Sequence, residues 1–311
     1  MYLGLLLAAG CTTSTSVVPG RITPAEPPPP AAEVPLVLPK PLGPILAPGE
    51  VRELMPGGAV DWSGKTVAAR GTGVLDPGNS DRDQAWQLAE RAATVVAQRN
   101  LLEIVKDVRV DSDTRVRDYT AERDSVYQRI EHVVKSAQPR HPASRDSLGG
   151  TVEIELQCNL YGDSGVAGAL LPQSAAGPRS GDISAGGLSR LAVEFLRQYS
   201  GLVLDAGAIE LKPALFPRIY DESGALLLDP REYLTYAGEP GTCAVQYVGS
   251  LGPILARPEF GQPLVLKVKA ARGKLGADIV LARGDAHMLK GMKDGLEFLI
   301  DGGRILTKLA L

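Results

Sequence analysis

Residues 89–119 read AERAATVVAQRNLLEIVKDVRVDSDTRVRDY, and residues 151–161 read TVEIELQCNLY. In the first stretch and just before it, Trp86, Ala89, Ala93, Val96, Ala97, Leu101 and Ile104 recur at spacings of three and four. That is the period of a helix with one apolar stripe. Ser80 and Asp81 precede it as N-cap residues. The abundance of alanine predicts close approach to a sheet. In the second stretch Val152, Ile154, Leu156, Cys158 and Leu160 alternate with polar residues, the period of a half-buried strand. One sequence therefore holds a helix that must cover something and a strand with a face to be covered.

Working outward, residues 65–74 (KTVAARGTGV) read as a strand closed by the turn Asp76-Pro77-Gly78-Asn79. Residues 108–110 and 114–116 read as short extended segments. A second helix is expected from about Thr120 to Ala137, with Val126, Ile130, Val133 and Ala137 on one face. The order strand, helix, strands, helix, strand predicts an α+β domain over residues 58–163, with two helices packed on a mostly antiparallel sheet. Asn100, within the apolar stripe, reads as a buried amide serving nearby backbone groups. Cys158 falls on the inward row as a small hydrophobe, not a nucleophile.

The string 89–119, with IEHVVKSAQ (130–138) and TVEIELQ (151–157), resembles the bacterial surface-lipoprotein family named for a twenty-kilodalton lipoprotein. It is similar also to the amino-terminal domain of flagellar assembly protein T. The resemblance spans residues 60–163 and implies an envelope or flagellar-basal role without a catalytic site.

The amino terminus points the same way. Ala8-Ala9-Gly10-Cys11 follows a leucine-rich run and resembles the lipobox of bacterial lipoproteins. The resemblance implies cleavage of residues 1–10 as a signal peptide and acylation of Cys11. No Lys or Arg precedes the apolar run, unlike an ordinary secretory signal, so a true start further upstream is expected. Half of the chain's 24 prolines fall between residues 12 and 57. Proline fixes φ and lacks a donor, so residues 11–57 are expected to be a disordered tether, reaching on the order of 100 Å when extended. Several acyl chains give stable anchoring where one does not. Thr12 and Thr13 lack the acidic residue that often retains lipoproteins at the inner membrane, so the outer membrane is the expected site.

Residues 164–187 are rich in Gly, Ser and Ala and read as a linker. Residues 188–311 then read as a second α+β domain. It has a helix over 188–199 and strands at GLVLDA (201–206), around the turn Glu222-Ser223-Gly224, and at QPLVLKVKAARG (262–273) and GADIVLARG (276–284). A helix over 285–298 and a closing strand RILTKLAL (304–311) complete it. Asp205, at a strand end, reads as a turn cap.

Several chemistries are sought and not found. The net charge of −3 gives no basic field for nucleic acid or anionic lipid, and 5% aromatics give no stacking platform. Residues 58–66 (GAVDWSGKT) imitate a phosphate loop, but Ala59 stands where the first glycine belongs and the segment leads into a strand. Gly162-Asp163-Ser164-Gly165 echoes a serine-protease nucleophile segment, with Val166 in place of the next glycine. His132, His141 and His287 are not grouped for metal binding. Cys158 and Cys243 are expected as free buried thiols in different domains. The expectation is a non-enzymatic, lipid-anchored structural or assembly protein of the cell envelope, with no cofactor and no metal. Its expected partners are the membrane through Cys11, envelope or flagellar-basal proteins, and further copies of itself. The alternative is a periplasmic module that binds a small ligand or peptidoglycan in a polar cleft.

Overall fold

In the computed structural model, the described residues are 51–145, 150–171, 188–232, 245–256, 260–292, 295–296, 299–300 and 303–309. The chain enters through β1 (Arg52–Met55), which turns at Pro56-Gly57 into β2 (Gly58–Asp61). Gly57 has φ +82°, a backbone conformation open to glycine at little cost. A second hairpin leads to β3 (Thr66–Val74), which pairs antiparallel along its whole length with β6 (Thr151–Asn159). Helix α1 (Arg82–Asp107) begins at Asp81, whose carboxylate accepts from the N–H groups of Asp83 and Gln84, and it lies across β3 and β6.

The fit of α1 onto β3 is set by residue size. A Cβ at Gly71 would stand 2.1 Å from the Ala93 carbonyl oxygen, and one at Gly73 would stand 1.9 Å from that of Ala89. Glycines on the strand and alanines on the helix thus bring the two backbones together. Ala89, Ala93, Ala97, Leu101 and Ile104 are buried as the spacing predicts, and Ala85 and Val105 join them. Two stripe members differ. Trp86 is half-buried and lies under the Arg145 guanidinium at 5.3 Å. Val96, at the margin of the stripe, is 39% exposed.

The second expected helix is two: α2 (Val116–Glu122) and α3 (Asp124–Lys135), separated by Arg123 in an extended conformation. The break lets Val116 and Val126, both buried, reach the core from different directions. The segment before α2 makes a single bridge, Arg109 to Arg115, around a tight loop in place of an extended pair. Short strands β4 (Gln138–Pro139) and β5 (Ser144–Arg145) finish the first sheet beside β6.

Two expected boundaries move. The strand Arg52–Met55 lies inside the stretch assigned to the tether, because Leu54 and Met55 pair with Ala59 and Gly58. Residues 166–170, assigned to the linker, form α4 (Val166–Leu170); its Val, Ala and Leu side chains are buried and it lies against α3.

The second sheet has seven strands in the order β10-β13-β7-β11-β12-β8-β9. These are β7 (Leu202–Ala206), β8 (Ile219–Asp221), β9 (Leu226–Leu228), β10 (Gln246–Val248), β11 (Leu264–Arg272), β12 (Asp278–Leu281) and β13 (Ile305–Leu309). Helices α5 (Arg190–Gln198), α6 (Gly252–Leu255) and α7 (Arg283–Lys290) accompany it. It is mixed: β7 runs parallel to β11 and β13, whereas β11–β12 and β8–β9 are hairpins. Leu202, Val203 and Leu204 are wholly buried, the pattern of a strand covered on both faces. Strand β10 and helix α6 have no counterpart in the sequence reading, being only three and four residues long. The architecture is α+β with two sheets. One apolar cluster runs through both, joining Trp62, Val110 and Tyr161 to Leu215, Phe216 and Tyr247.

Candidate functional site

The densest charged constellation sits where the loop between α1 and α2 enters the second half of the chain. Backbone bonds dock this loop first: Leu215 N donates to Arg109 O, and Phe216 N to Val110 O. The Asp111 carboxylate then closes the loop on itself, its Oδ1 accepting from Asp113 N, Thr114 N and the Thr114 hydroxyl. This turn chemistry is local and needs only Asp followed by Thr three residues on.

Ser112, at the tip, is fully buried beneath the β11–β12 turn. Its hydroxyl donates to Arg272 O and accepts from Ala277 N at 2.9 Å and Asp278 N at 2.5 Å. Glycine is required opposite: Gly273 has φ +86°, and a Cβ there would stand 2.1 Å from the Ser112 Cβ.

Around this plug lie four carboxylates and two guanidinium groups. Arg218 reaches Asp278 at 2.7 Å and Asp113 at 2.6 Å. Arg231 reaches Asp229 at 2.7 Å, Asp111 at 3.1 Å and the Tyr119 hydroxyl at 3.3 Å. Asp111 and Asp278 are nearly inaccessible to solvent. Burial pushes the Asp278 carboxyl above the usual carboxylate range, although three bonds from Arg218 oppose it. Asp229 goes the other way. Burial works against its charge, but the Arg231 side chain and backbone N–H hold its carboxyl below that range.

A second contact beside the first strand repeats the theme. Arg109 donates through Nε to Pro213 O and pairs with Glu53 at 2.5 Å, and Trp62 Nε1 donates to the same Glu53 carboxylate. Burial works against the Glu53 charge, yet these donors hold its carboxyl below its ordinary value. Trp62 meets Tyr247 edge-on at 5.7 Å, and the Tyr247 hydroxyl donates to Ala214 O and accepts from Ala214 N. These charged and polar groups face one another across the seam between the halves. Chemically, the arrangement fixes a loop in place.

The residues singled out in the sequence are scattered. The Asn100 amide donates to Arg70 O at 2.7 Å and lies against Gly57, half-buried, satisfying backbone as expected. Cys158 is buried on the inward row of β6, and burial pushes its thiol up to about 12. Asp205 accepts from Gly207 N and pairs with Lys308, which, with the turn bond, holds its carboxyl below the ordinary value despite desolvation. The stretch 58–66 is a β-hairpin, with Asp61 Oδ1 accepting from Gly64 N, not a strand-to-helix phosphate cradle. Ser164 is exposed in the turn leading to α4. His132, His141 and His287 are exposed, and among the described residues no three His, Cys, Asp or Glu are placed to hold a metal. Cys11 and Cys243 lie outside the described residues.

Sequence reasoning missed the seam. Asp111-Ser112-Asp113-Thr114 is readable as a polar loop, but its partners stand about a hundred residues or more further on. Only the fold brings them together.

A family model described as Treponema pallidum Tp0624, second domain, covers residues 201–306. No curated protein matches the chain. The match does not reach residues 60–163, and it supports neither the surface-lipoprotein family nor flagellar assembly protein T expected there. What the chain is similar to, over about a third of its length and through most of its seven-stranded sheet, is the second domain of that treponemal protein.

Proposed function

We propose that this protein is a lipid-anchored module of the bacterial cell envelope with a structural or assembly role. The observation that carries the reading is the succession Ala8-Ala9-Gly10-Cys11, a proline-rich stretch, and then a folded body. Acyl group, spacer and cargo in that order suit a protein held off a bilayer. The engagement of the buried carboxylates and arginines with one another supports a scaffold over a reactive cleft. In its narrower form the reading makes residues 60–163 a surface-lipoprotein domain similar to that of flagellar assembly protein T, at the outer membrane.

The test is membrane fractionation with acyl labelling. Wild-type protein is expected to take up labelled fatty acid and sediment with membranes, and Cys11→Ala to lose both. Undiminished membrane partitioning of Cys11→Ala without label would remove the anchor from the account.

A further inference from the structure

Helix α1 carries a second pattern that its packing on the sheet does not use. Opposite the buried alanines, the positions 84, 88, 91, 95, 99 and 102 follow one another at spacings of three and four, which sets them along one line of the helix. Leu88 is 58% exposed and Val95 60% exposed. Seven residues on, Leu102 is half-buried at the end of the same line, and Ala92 is exposed beside it. Arg91 and Arg99 stand on this face, both exposed and with no carboxylate partner among the described residues. Glu103, four residues beyond Arg99, is paired with Lys106 at 3.1 Å. The outer face of α1 is therefore apolar along its middle and basic on either side.

We infer that this face docks onto an anionic lipid surface, a reading that rests on the proposed acyl anchor. The charge pattern decides among occupants. A second copy would set arginines against arginines, whereas phosphate headgroups complement them and the acyl boundary takes Leu88 and Val95. The overall charge of −3 does not bear on this, since it averages over all faces of the molecule. The stripe is narrow, so docking from free solution is weak. A tether changes that, because a chain held to the same bilayer works at an effective concentration of order millimolar.

The experiment uses full-length Cys11→Ala protein, which cannot be acylated, floated with vesicles of phosphatidylcholine alone or mixed with phosphatidylglycerol. Binding is expected to the mixed vesicles only, and to fade as salt rises. Arg91→Gln and Arg99→Gln should each weaken it about fivefold. The double substitution Leu88→Ser with Val95→Ser should abolish it while circular dichroism stays unchanged. Absence of binding to anionic vesicles, or binding that these substitutions leave intact, overturns the inference. So does binding of an acidic amphipathic peptide in place of vesicles, which would assign the face to a protein. Acylated wild-type protein run alongside separates the two ideas: it floats if the anchor is right even when α1 does not dock, and matches Cys11→Ala if the anchor is wrong.

Discussion

Ser112 shows how much a single small side chain can hold. Its hydroxyl satisfies two backbone donors and one acceptor in the β11–β12 turn, and no solvent reaches it. Leaving such groups without partners costs about 1–3 kcal/mol each in a buried setting, so the loop and the turn stand or fall together. Cys158 is the opposite case, a reactive atom made inert by its surroundings. With its thiol pushed up to about 12 and its side chain buried on β6, almost no thiolate exists near neutrality. Iodoacetamide is accordingly expected to leave the Cys158 peptide unmodified in the native protein and to alkylate it fully in denaturant. Peptide mass spectrometry reads this directly, and rapid native labelling would contradict the burial.

Among the elements, α1 and β3 depend on one another most closely. The helix has its own start signal in Asp81 and its own stripe, both legible in the sequence, and the alanines foretold a close approach. That the approach is made at Gly71 and Gly73 was not legible, because a glycine in a strand reads equally as a bulge or a weak point. Gly71→Ala is expected to lower unfolding free energy by about 1–3 kcal/mol through overpacking against the Ala93 carbonyl, without changing the secondary-structure content. Urea unfolding followed by circular dichroism measures it, and a stability within error of wild type would show that the helix can shift at no cost. The split of the second helix at Arg123 had no sequence signal either. Neither proline nor glycine interrupts that run, and the break follows from where Val116 and Val126 must point.

On the scale of the molecule, the seam turns two sheets into one cooperative body. A shared apolar cluster, the Ser112 plug, the pairs Arg218–Asp113 and Arg231–Asp111 and the bond from Arg109 to Pro213 O all cross between the halves. Calorimetry of the full chain is therefore expected to show a single unfolding transition, where independent domains would give two. Its midpoint should fall on acidification. Glu53 and Asp229 have carboxyls held below their unfolded values, so the stability they contribute is present above the ordinary carboxylate pKa and is lost as pH drops through the folded one. Asp278, raised by burial, has the reverse sign, contributing below its unfolded value and losing that as pH rises through the folded one, and so it blunts the acid limb. Two resolved transitions would dissolve the single-body picture, and a midpoint flat down to the acid range would contradict the pairing of Glu53 and Asp229 with their arginines. The α+β class, the α1 stripe, the inward row of β6 and most strands of the second half were determined by the sequence alone, because period and capping are local properties of consecutive residues. Tertiary structure alone decided the order of the seven strands, the docking of Ser112 and the pairing of Asp111, Asp113 and Asp278 with their arginines. Those depend on contacts between residues from 60 to 166 positions apart, and no local pattern encodes which distant partner a loop will meet.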